Sequence, residues 1–590
     1  MLLSSSDLFI IAAYLVIALL ISFYFKKKGS KSLADFFTGG RSMPWYIAGV
    51  SMVATTFAAD TPLAVTELVA KNGISGNWLW WNMLIGGMLT TFFFARLWRR
   101  AGVNTELELI ELRYGGKPAA LLRGFKAVYL GLFMNCLIIG WVNLALVDIL
   151  KVFFGVPAAD VYWYVAAAML FTSFYSSLSG IWGVAVTDAL QFIIAMIGCI
   201  VLAFLVLNSE QVGGMSGLVT QLPDWSLSFF PQIGEANASQ GALSITIGAF
   251  FAFLGVQWWA SWYPGAEPGG GGYVVQRMLS TRSERDSILA TLFFQVAHYA
   301  LRPWPWIIVA LCSLVLYPEL TGGDQKLGYV YAMRDYLPNG LRGLLLVAFL
   351  AAYMSTISTQ LNWGASYLMN DFYVRFFRKS DNDSSNEQNN LVNVSRLIMF
   401  LLMAIGLFAT TRMTSISGVW EFIIECGAGL GLVLILRWFW WRINAWSEIV
   451  ATFAPFVGYA IGHFYLEKLF GQGFIGNKGS FLFTVLFTTL SWLIVTMLTS
   501  PENDVVLRNF YQRIQPAGNW KRFSQGTASK MQVSYLLLSW FLAVLFTYSC
   551  LFFIGKLVFM QWNQAITWAA LMLLAFFSLM RITAKTSIFK

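Results

Sequence analysis

The chain alternates long apolar stretches with short polar ones, and about fifteen apolar stretches are long enough to cross a bilayer. They lie near 8–25, 44–70, 77–98, 122–150, 161–178, 181–207, 241–263, 285–317, 341–372, 393–411, 416–436, 446–466, 481–498, 533–555 and 563–582. Each predicts a helix, because a helix satisfies its own backbone where no water can. The hinge between 161–178 and 181–207 is very short. The first segment begins Met1-Leu2-Leu3 without a basic leader region, which predicts a retained helix rather than a cleaved signal.

Two spans are interrupted. The span at 44–70 carries Ser51, Thr55, Thr56, Asp60, Thr61 and Pro62 at its centre. Pro62 removes a helical hydrogen bond, and Asp60 is ionisable at depth. The span at 241–263 holds Gly248, Gly255 and Gln257, followed by Pro264, Gly265, Pro268 and four glycines at 269–272. These are the second and seventh spans, so five spans fill each unit. That offset points to a transporter built from inverted repeats, with two ordinary kinks as the alternative.

Within 341–372 the run AAYMSTISTQ places Ser355, Thr356, Ser358 and Thr359 in five residues. At helical spacing 355 and 359 share a face, and 355 and 358 nearly so. Neutral oxygens crowded in hydrocarbon look like ligands for a small hard cation. The alternative is hydroxyls that bond back to their own helix or join two helices.

Composition narrows the class. The chain has 590 residues, 58% hydrophobic and only 12% charged, which describes a polytopic membrane protein rather than a soluble core. The net charge of +10 is a matter of topology. With the N-terminus outside and the C-terminus inside, the cytoplasmic segments hold Lys26, Lys27, Lys28, Arg99, Arg100, Arg277, Arg282, Arg375, Arg437, Arg508 and Arg581, whereas the outside segment 208–240 holds no Lys or Arg. A nucleic-acid partner is therefore not implied. The five cysteines and the two histidines, His298 and His463, have no metal-ligand spacing. No GxxxxGK[ST] loop is present, so the chain is not its own ATPase. The Gly-, Asn- and Ser-rich segment 208–240 lacks a stable core, 379–390 reads as a solvated linker, and 501–530 reads as a short surface lid.

The motifs FFTGGRSMPW (36–45), GVSMVATTFAAD (49–60), GVAVTDALQF (183–192), YVVQRMLST (273–281), AAYMSTISTQLN (351–362) and MNDFY (369–373) resemble the sodium/solute symporter family, which includes bacterial sodium/galactose, sodium/proline and sodium/sialic acid carriers. They cover about residues 8–500. The resemblance implies an all-α membrane protein of about fifteen transmembrane helices with a five-plus-five inverted-repeat (LeuT-type) core and two broken helices. It divides the chain into an extra helix and basic inner loop (1–43), a first repeat (44–207), the external loop (208–240), a second repeat (241–436) and added helices (437–590).

The resemblance also implies site residues. A first sodium site would use backbone carbonyls of Ala54, Phe57 and Ala352 with the hydroxyls of Ser355 and Thr356, hard ligands for a hard cation. A second would join Asp188 to Ser355, Ser358 and Thr359, unless Asp188 merely caps a helix end. The solute pocket would lie between the broken spans, faced by Thr56, Asp60 and Thr61 from one and by Gln257, Trp258 and Trp259 from the other, unless the two tryptophans belong to an interfacial belt. Thr56 stands where the proline carriers have an acidic residue.

The residues themselves add HYALRPWPW, in which Arg302 lies mid-span and His298 four residues earlier on the same face. A guanidinium at that depth needs a partner. Two readings stay open: a structural pair with Asp60 or another carboxylate, or bidentate capture of a solute carboxylate. The expected function is sodium-driven import of a small organic solute by alternating access, in the plasma (inner) membrane, with one or two sodium ions per cycle. The partners are the solute, sodium and the lipid bilayer, with no obligatory protein partner. Sugar, sugar acid, amino acid and other carboxylates remain open as solutes. The rivals are a transporter-like sensor or channel without concentrative uptake, and a membrane enzyme, for which no acid–base or metal cluster is evident.

Overall fold

The computed structural model describes residues 3–29, 32–234, 244–378, 385–413, 423–523 and 533–586. The start of the expected linker at 379–384, the beginning of the expected span at 416–422 and the end of the expected lid at 524–530 lie outside the described residues. Among the described residues the chain is almost wholly helical, with ten helices long and apolar enough to cross a membrane. A bent pair makes an eleventh. The expected fifteen spans are not all matched by that measure, because several are built from shorter pieces.

In chain order the elements are α1 (Ser5–Gly29), α2 (Trp45–Thr55) and α3 (Asp60–Asn72), then α4 (residues 84–101), α5 (Gly116–Phe154) and α6 (Val161–Leu207). The second half contains α7 (Ile247–Ala260), α8 (Gly272–Ser280), α9 (Glu284–Leu316), α10 (Leu327–Tyr336), α11 (Leu341–Phe377) and α12 (Asn390–Thr410). It continues with α13 (Leu430–Phe439), α14 (Ala445–Phe470), α15 (Gly479–Leu498), α16 (Asp504–Ile514), α17 (Val533–Val558) and α18 (Trp562–Lys585). The segment expected at 416–436 thus yields a described helix of only ten residues, α13.

α6 is two helices joined without a loop. Gly180 has φ +59° and ψ −163°, a conformation open only to glycine. A side chain there would also sit 2.8 Å from the Phe36 carbonyl oxygen. The hinge read from the sequence is therefore one residue.

α11 is the axis of the fold. It packs on α6, α5, α1, α12 and α2, and every residue from 351 to 367 is buried. Such an all-round buried helix explains why its polar positions cannot be solvated and must meet partners. At the other extreme, Phe9, Val16, Leu20 and Tyr24 of α1 and Leu574 and Phe577 of α18 are exposed, as lipid-facing side chains are.

Charges near the basic ends of the helices are tied into networks. Arg123 of α5 bonds Asp371 of α11 (2.7 Å) and Glu111 (2.6 Å). Glu448 of α14 is fully buried and accepts bonds from Tyr114 (2.8 Å), Lys126 and Arg437 (3.2 Å). A lone carboxylate there would be prohibitive, and two cations and a hydroxyl compensate it. The stretch after α6 carries a short helix, Gly214–Gln221, and presses Phe229 against Trp304, Phe552 and Phe559. α17 reaches back to the first half: Trp540 and Tyr548 donate to the carbonyls of Ile85 (2.9 Å) and Trp81 (2.8 Å), and Trp304 of α9 donates to Leu551 (3.1 Å).

Candidate functional site

The first break lies between Thr55 and Asp60, and α2 and α3 meet there at 57°. Pro62 falls in the first turn of α3, where its missing N–H would be unbonded anyway. It therefore starts α3 rather than kinking it. The opened turn leaves the Thr55 carbonyl available, and Thr356 of α11 donates its hydroxyl to it at 2.9 Å. Ala54 and Phe57 are buried on either side of that contact, and Ala352 is buried one turn before Thr356. The Ala54 carbonyl accepts the Phe57 N–H at 3.0 Å.

The four hydroxyls of the α11 run take four different roles. Ser355 donates to Asp188 Oδ1 of α6 at 2.7 Å, and Thr356 meets the α2 break. Ser358 bonds back to the Ser355 carbonyl of its own helix at 3.0 Å. Thr359 lies 3.1 Å from the Thr55 hydroxyl and accepts from Arg277 Nη2 at 2.7 Å. The expected grouping of Asp188 with Ser358 and Thr359 therefore changes. Asp188 reaches Ser355 and, at 2.6 Å, Ser51 of α2. It is fully buried well inside the second half of α6, so it does not cap a helix end.

Arg277 is what takes up the other side of that carboxylate. The positive-inside count treats it as a cytoplasmic loop charge. The structure buries it completely in α8, with Nη2 3.5 Å from Asp188 Oδ2 and Nε 3.2 Å from the Ser51 hydroxyl. The signal that could have found it is its place on a half-helix directly after a glycine-rich break, rather than in a loop.

The second break is the extended stretch 261–271 between α7 and α8. It and the first break flank a cavity of about 130 Å³. Thr56, Asp60, Thr61, His298 and Arg302 line this cavity, as expected. Gln257, Trp258 and Trp259 do not. They lie four or more residues too early, on helical α7. Trp258 packs its ring against Trp540 at 5.9 Å, Trp259 donates to the Gly255 carbonyl of its own helix at 2.6 Å, and Gln257 is buried apart from the cavity. Gly248 lies in a regular helical turn and Gly255 in a π-helical one at 251–257, so neither opens the helix. The wall on this side is instead Tyr263–Ala266 with Tyr273. Gly265 (φ +85°) brings the backbone so close to Tyr273 that a Cβ would lie 2.0 Å from its hydroxyl. Trp80, Trp141, Tyr299 and Gln360 also line the cavity and were not singled out by the sequence.

Arg302 projects into this cavity from α9 because Pro303 follows it. A π-turn at 297–301 bonds the Arg302 N–H to Ala297, five residues back, and opens the helix at that point. The guanidinium donates to Thr56 Oγ1 (3.0 Å) and the Val53 carbonyl (3.3 Å), and lies 5.2 Å above the Trp306 ring. Its Nη2 is 3.3 Å from His298 Nε2, and His298 Nδ1 is 2.9 Å from Thr56 Oγ1. Since arginine can only donate, Nε2 must accept, so the histidine proton sits on Nδ1. Among the described residues no carboxylate lies within 4 Å of Arg302, so the structural pairing with Asp60 is not what holds it. Arg302 Nε and Asp60 Oδ1 are both buried and without a hydrogen-bond partner.

A hydroxylated helix facing an unwound one, beside a cavity between two breaks, is the arrangement the motifs imply. The sequence model of the sodium:solute symporter family matches residues 36–453. The chain belongs to this family. It is similar to a sodium/glucose cotransporter of Vibrio parahaemolyticus, 23% identical over 527 residues that cover 85% of this chain and 92% of the relative. It is also similar to the sodium/glucose cotransporter 1 of Oryctolagus cuniculus, 22% identical over 564 residues, 85% of this chain and 80% of that one. Its fold is that of a solved Na+-coupled sialic acid symporter, with a TM-score of 0.63 at 19% identity over 85% of this chain and 99% of the other. The symporter is thus a multi-pass, sodium-coupled transporter and not an enzyme.

Proposed function

We propose that this symporter imports a carboxylated sugar together with one sodium ion. The observation that carries the reading is Arg302, a buried guanidinium with an unpartnered Nε and no carboxylate of its own, on the wall of the cavity. A solute carboxylate supplies the missing partner. Asp60, with a free buried oxygen on the same cavity, accepts from a solute hydroxyl. Trp80, Trp141, Tyr263 and Tyr299 give the cavity an aromatic wall suited to a sugar ring. The relatives act on glucose and sialic acid by name, and an acidic sugar is compatible with both.

Sodium binds in this reading at Ser355 and Thr356 with the carbonyls of Ala54, Phe57 and Ala352. Arg277 argues against a second ion, because Asp188 is already neutralised by it. The two five-helix units are 44–207 and 241–436, and the positive-inside bias places the N-terminus outside and the C-terminus inside. One sodium ion entering with one carboxylate moves no net charge, so accumulation draws on the sodium concentration gradient rather than on the membrane potential.

A thermal-shift screen of neutral sugars, sugar acids and amino acids, with sodium or choline chloride, tests the solute class. Stabilisation by sugar acids only in sodium supports it. Stabilisation by neutral sugars alone overturns it. Concentrative, sodium-dependent uptake into proteoliposomes separates a symporter from a channel-like or sensory role. Thr356→Ala is expected to weaken sodium affinity at least about tenfold, roughly 1.4 kcal/mol, by removing a ligand. Thr359→Ala, one turn away and bonded to Arg277, should leave sodium affinity nearly unchanged. Both are read from the sodium dependence of the melting temperature.

A further inference from the structure

Below the solute cavity, two carboxylates that no sodium or solute role requires are buried against each other. Glu106, in the turn after α4, and Glu267, in the extended stretch before α8, are 7% and 4% exposed. Both border the same two glycines. A Cβ on Gly271 would lie 3.0 Å from Glu267 Cγ and 3.2 Å from Glu106 Oε1. A Cβ on Gly272 would lie 2.5 Å from Glu267 Oε1, and the Gly272 N–H donates to Glu106 Oε2 at 2.6 Å.

The two are partnered unequally. Glu106 Oε2 also accepts from the Tyr367 hydroxyl of α11 at 2.7 Å. Among the described residues Glu267 Oε2 accepts only the N–H of Gly265 at 3.0 Å, and Oε1 has no partner. The charged neighbours face elsewhere. Glu108 accepts from Asn104, Arg277 turns to Asp188, and Arg302 turns to Thr56. Among the described residues no Lys or Arg pairs with either carboxylate. Two like charges in one dry site cannot both persist, so one oxygen must carry a proton. The oxygen left without a donor is Glu267 Oε1, and the proton is placed there.

We propose that Glu106 and Glu267 together hold one exchangeable proton, carried on Glu267, and that this proton keeps the cytoplasmic side of the solute cavity latched. The contacts at Glu106 join three elements: the turn after α4, the start of α8 and α11. The basic last turn of α4, with Arg99 and Arg100, marks that side as cytoplasmic. Loss of the proton to cytoplasmic water places a second negative charge beside Glu106. The repulsion drives 261–271 away and releases the Gly272 N–H from Glu106, which opens the floor beneath Gly265. This latch does not depend on which solute the cavity takes.

Infrared difference spectroscopy of the full-length protein in lipid vesicles, titrated in sodium chloride, reads the proton. The wild type is expected to show a buried protonated carboxyl band that bleaches on alkalinisation. Glu267→Gln should lack it, and Glu106→Gln should move the bleaching at least about one pH unit lower, because a neighbouring negative charge is gone. Hydrogen–deuterium exchange over 261–280, taken as protection relative to the intrinsic amide rate at each pH, reads the latch: protection should fall with pH in the wild type and stay constant in Glu267→Gln. Both substitutions keep side-chain shape, and sodium-dependent stabilisation confirms that each variant is folded. A Glu267→Gln spectrum identical to wild type, an unmoved midpoint in Glu106→Gln, or wild-type protection over 261–280 that is independent of pH overturns the proposal.

Discussion

Replacing Arg302 with lysine is expected to lower solute affinity by roughly thirtyfold, about 2 kcal/mol, while sodium affinity stays close to wild type. The guanidinium spends two nitrogens on Thr56, the Val53 carbonyl and His298, and leaves Nε unused. A lysine ammonium is one point of charge and cannot serve those contacts and a solute carboxylate at once. His298 would also lose the donor that fixes its Nε2 as an acceptor. The effect should appear in the half-saturating solute concentration for sodium-driven uptake in proteoliposomes. An unchanged value would remove the carboxylate from the proposed solute.

The second large effect concerns stability. Arg277→Met strands the Asp188 carboxylate among hydroxyls in the core and should destabilise the protein by about 3–5 kcal/mol. Adding Asp188→Asn removes the stranded charge and should return most of that loss, since the two sites share one interaction. Denaturation of the single and double variants in the same detergent gives the coupling directly. The double variant also tests stoichiometry. If sodium binds only where α2 opens against Thr356, its stabilising effect survives in the double variant. If sodium requires Asp188, the effect is lost.

The sequence makes the scaffold readable where local chemistry and tertiary position agree. Asp60 and Pro62 mark the first break because both residue types act on their own turn. The hydroxyl run of α11 is visible because it stands out in an apolar context. What was not readable depends on contacts between distant segments. Gly248 and Gly255 imitate a break, yet both lie within helical α7 and the opening begins at 261, so Gln257, Trp258 and Trp259 fall on the helix rather than on the break. Arg277 carries the same letter as a loop arginine, and only the packing of α8 against α2 and α11 turns it inward. Ser358 and Thr359 share a helix face with Ser355, yet the side chains opposite them decide which one meets a carboxylate. The number of spans is least legible where an apolar stretch folds as short pieces, as in α4 and α13.

α17 lies beyond the region matched by the family, yet its tryptophan and tyrosine hold backbone carbonyls at 81 and 85, and its own backbone at 551 accepts from α9. Those bonds make α17 a passenger of the elements that wall the solute cavity. A spin label on its lipid-facing side, paired with one on α14, would work as a lever arm and report each alternation of the carrier from outside the transport path.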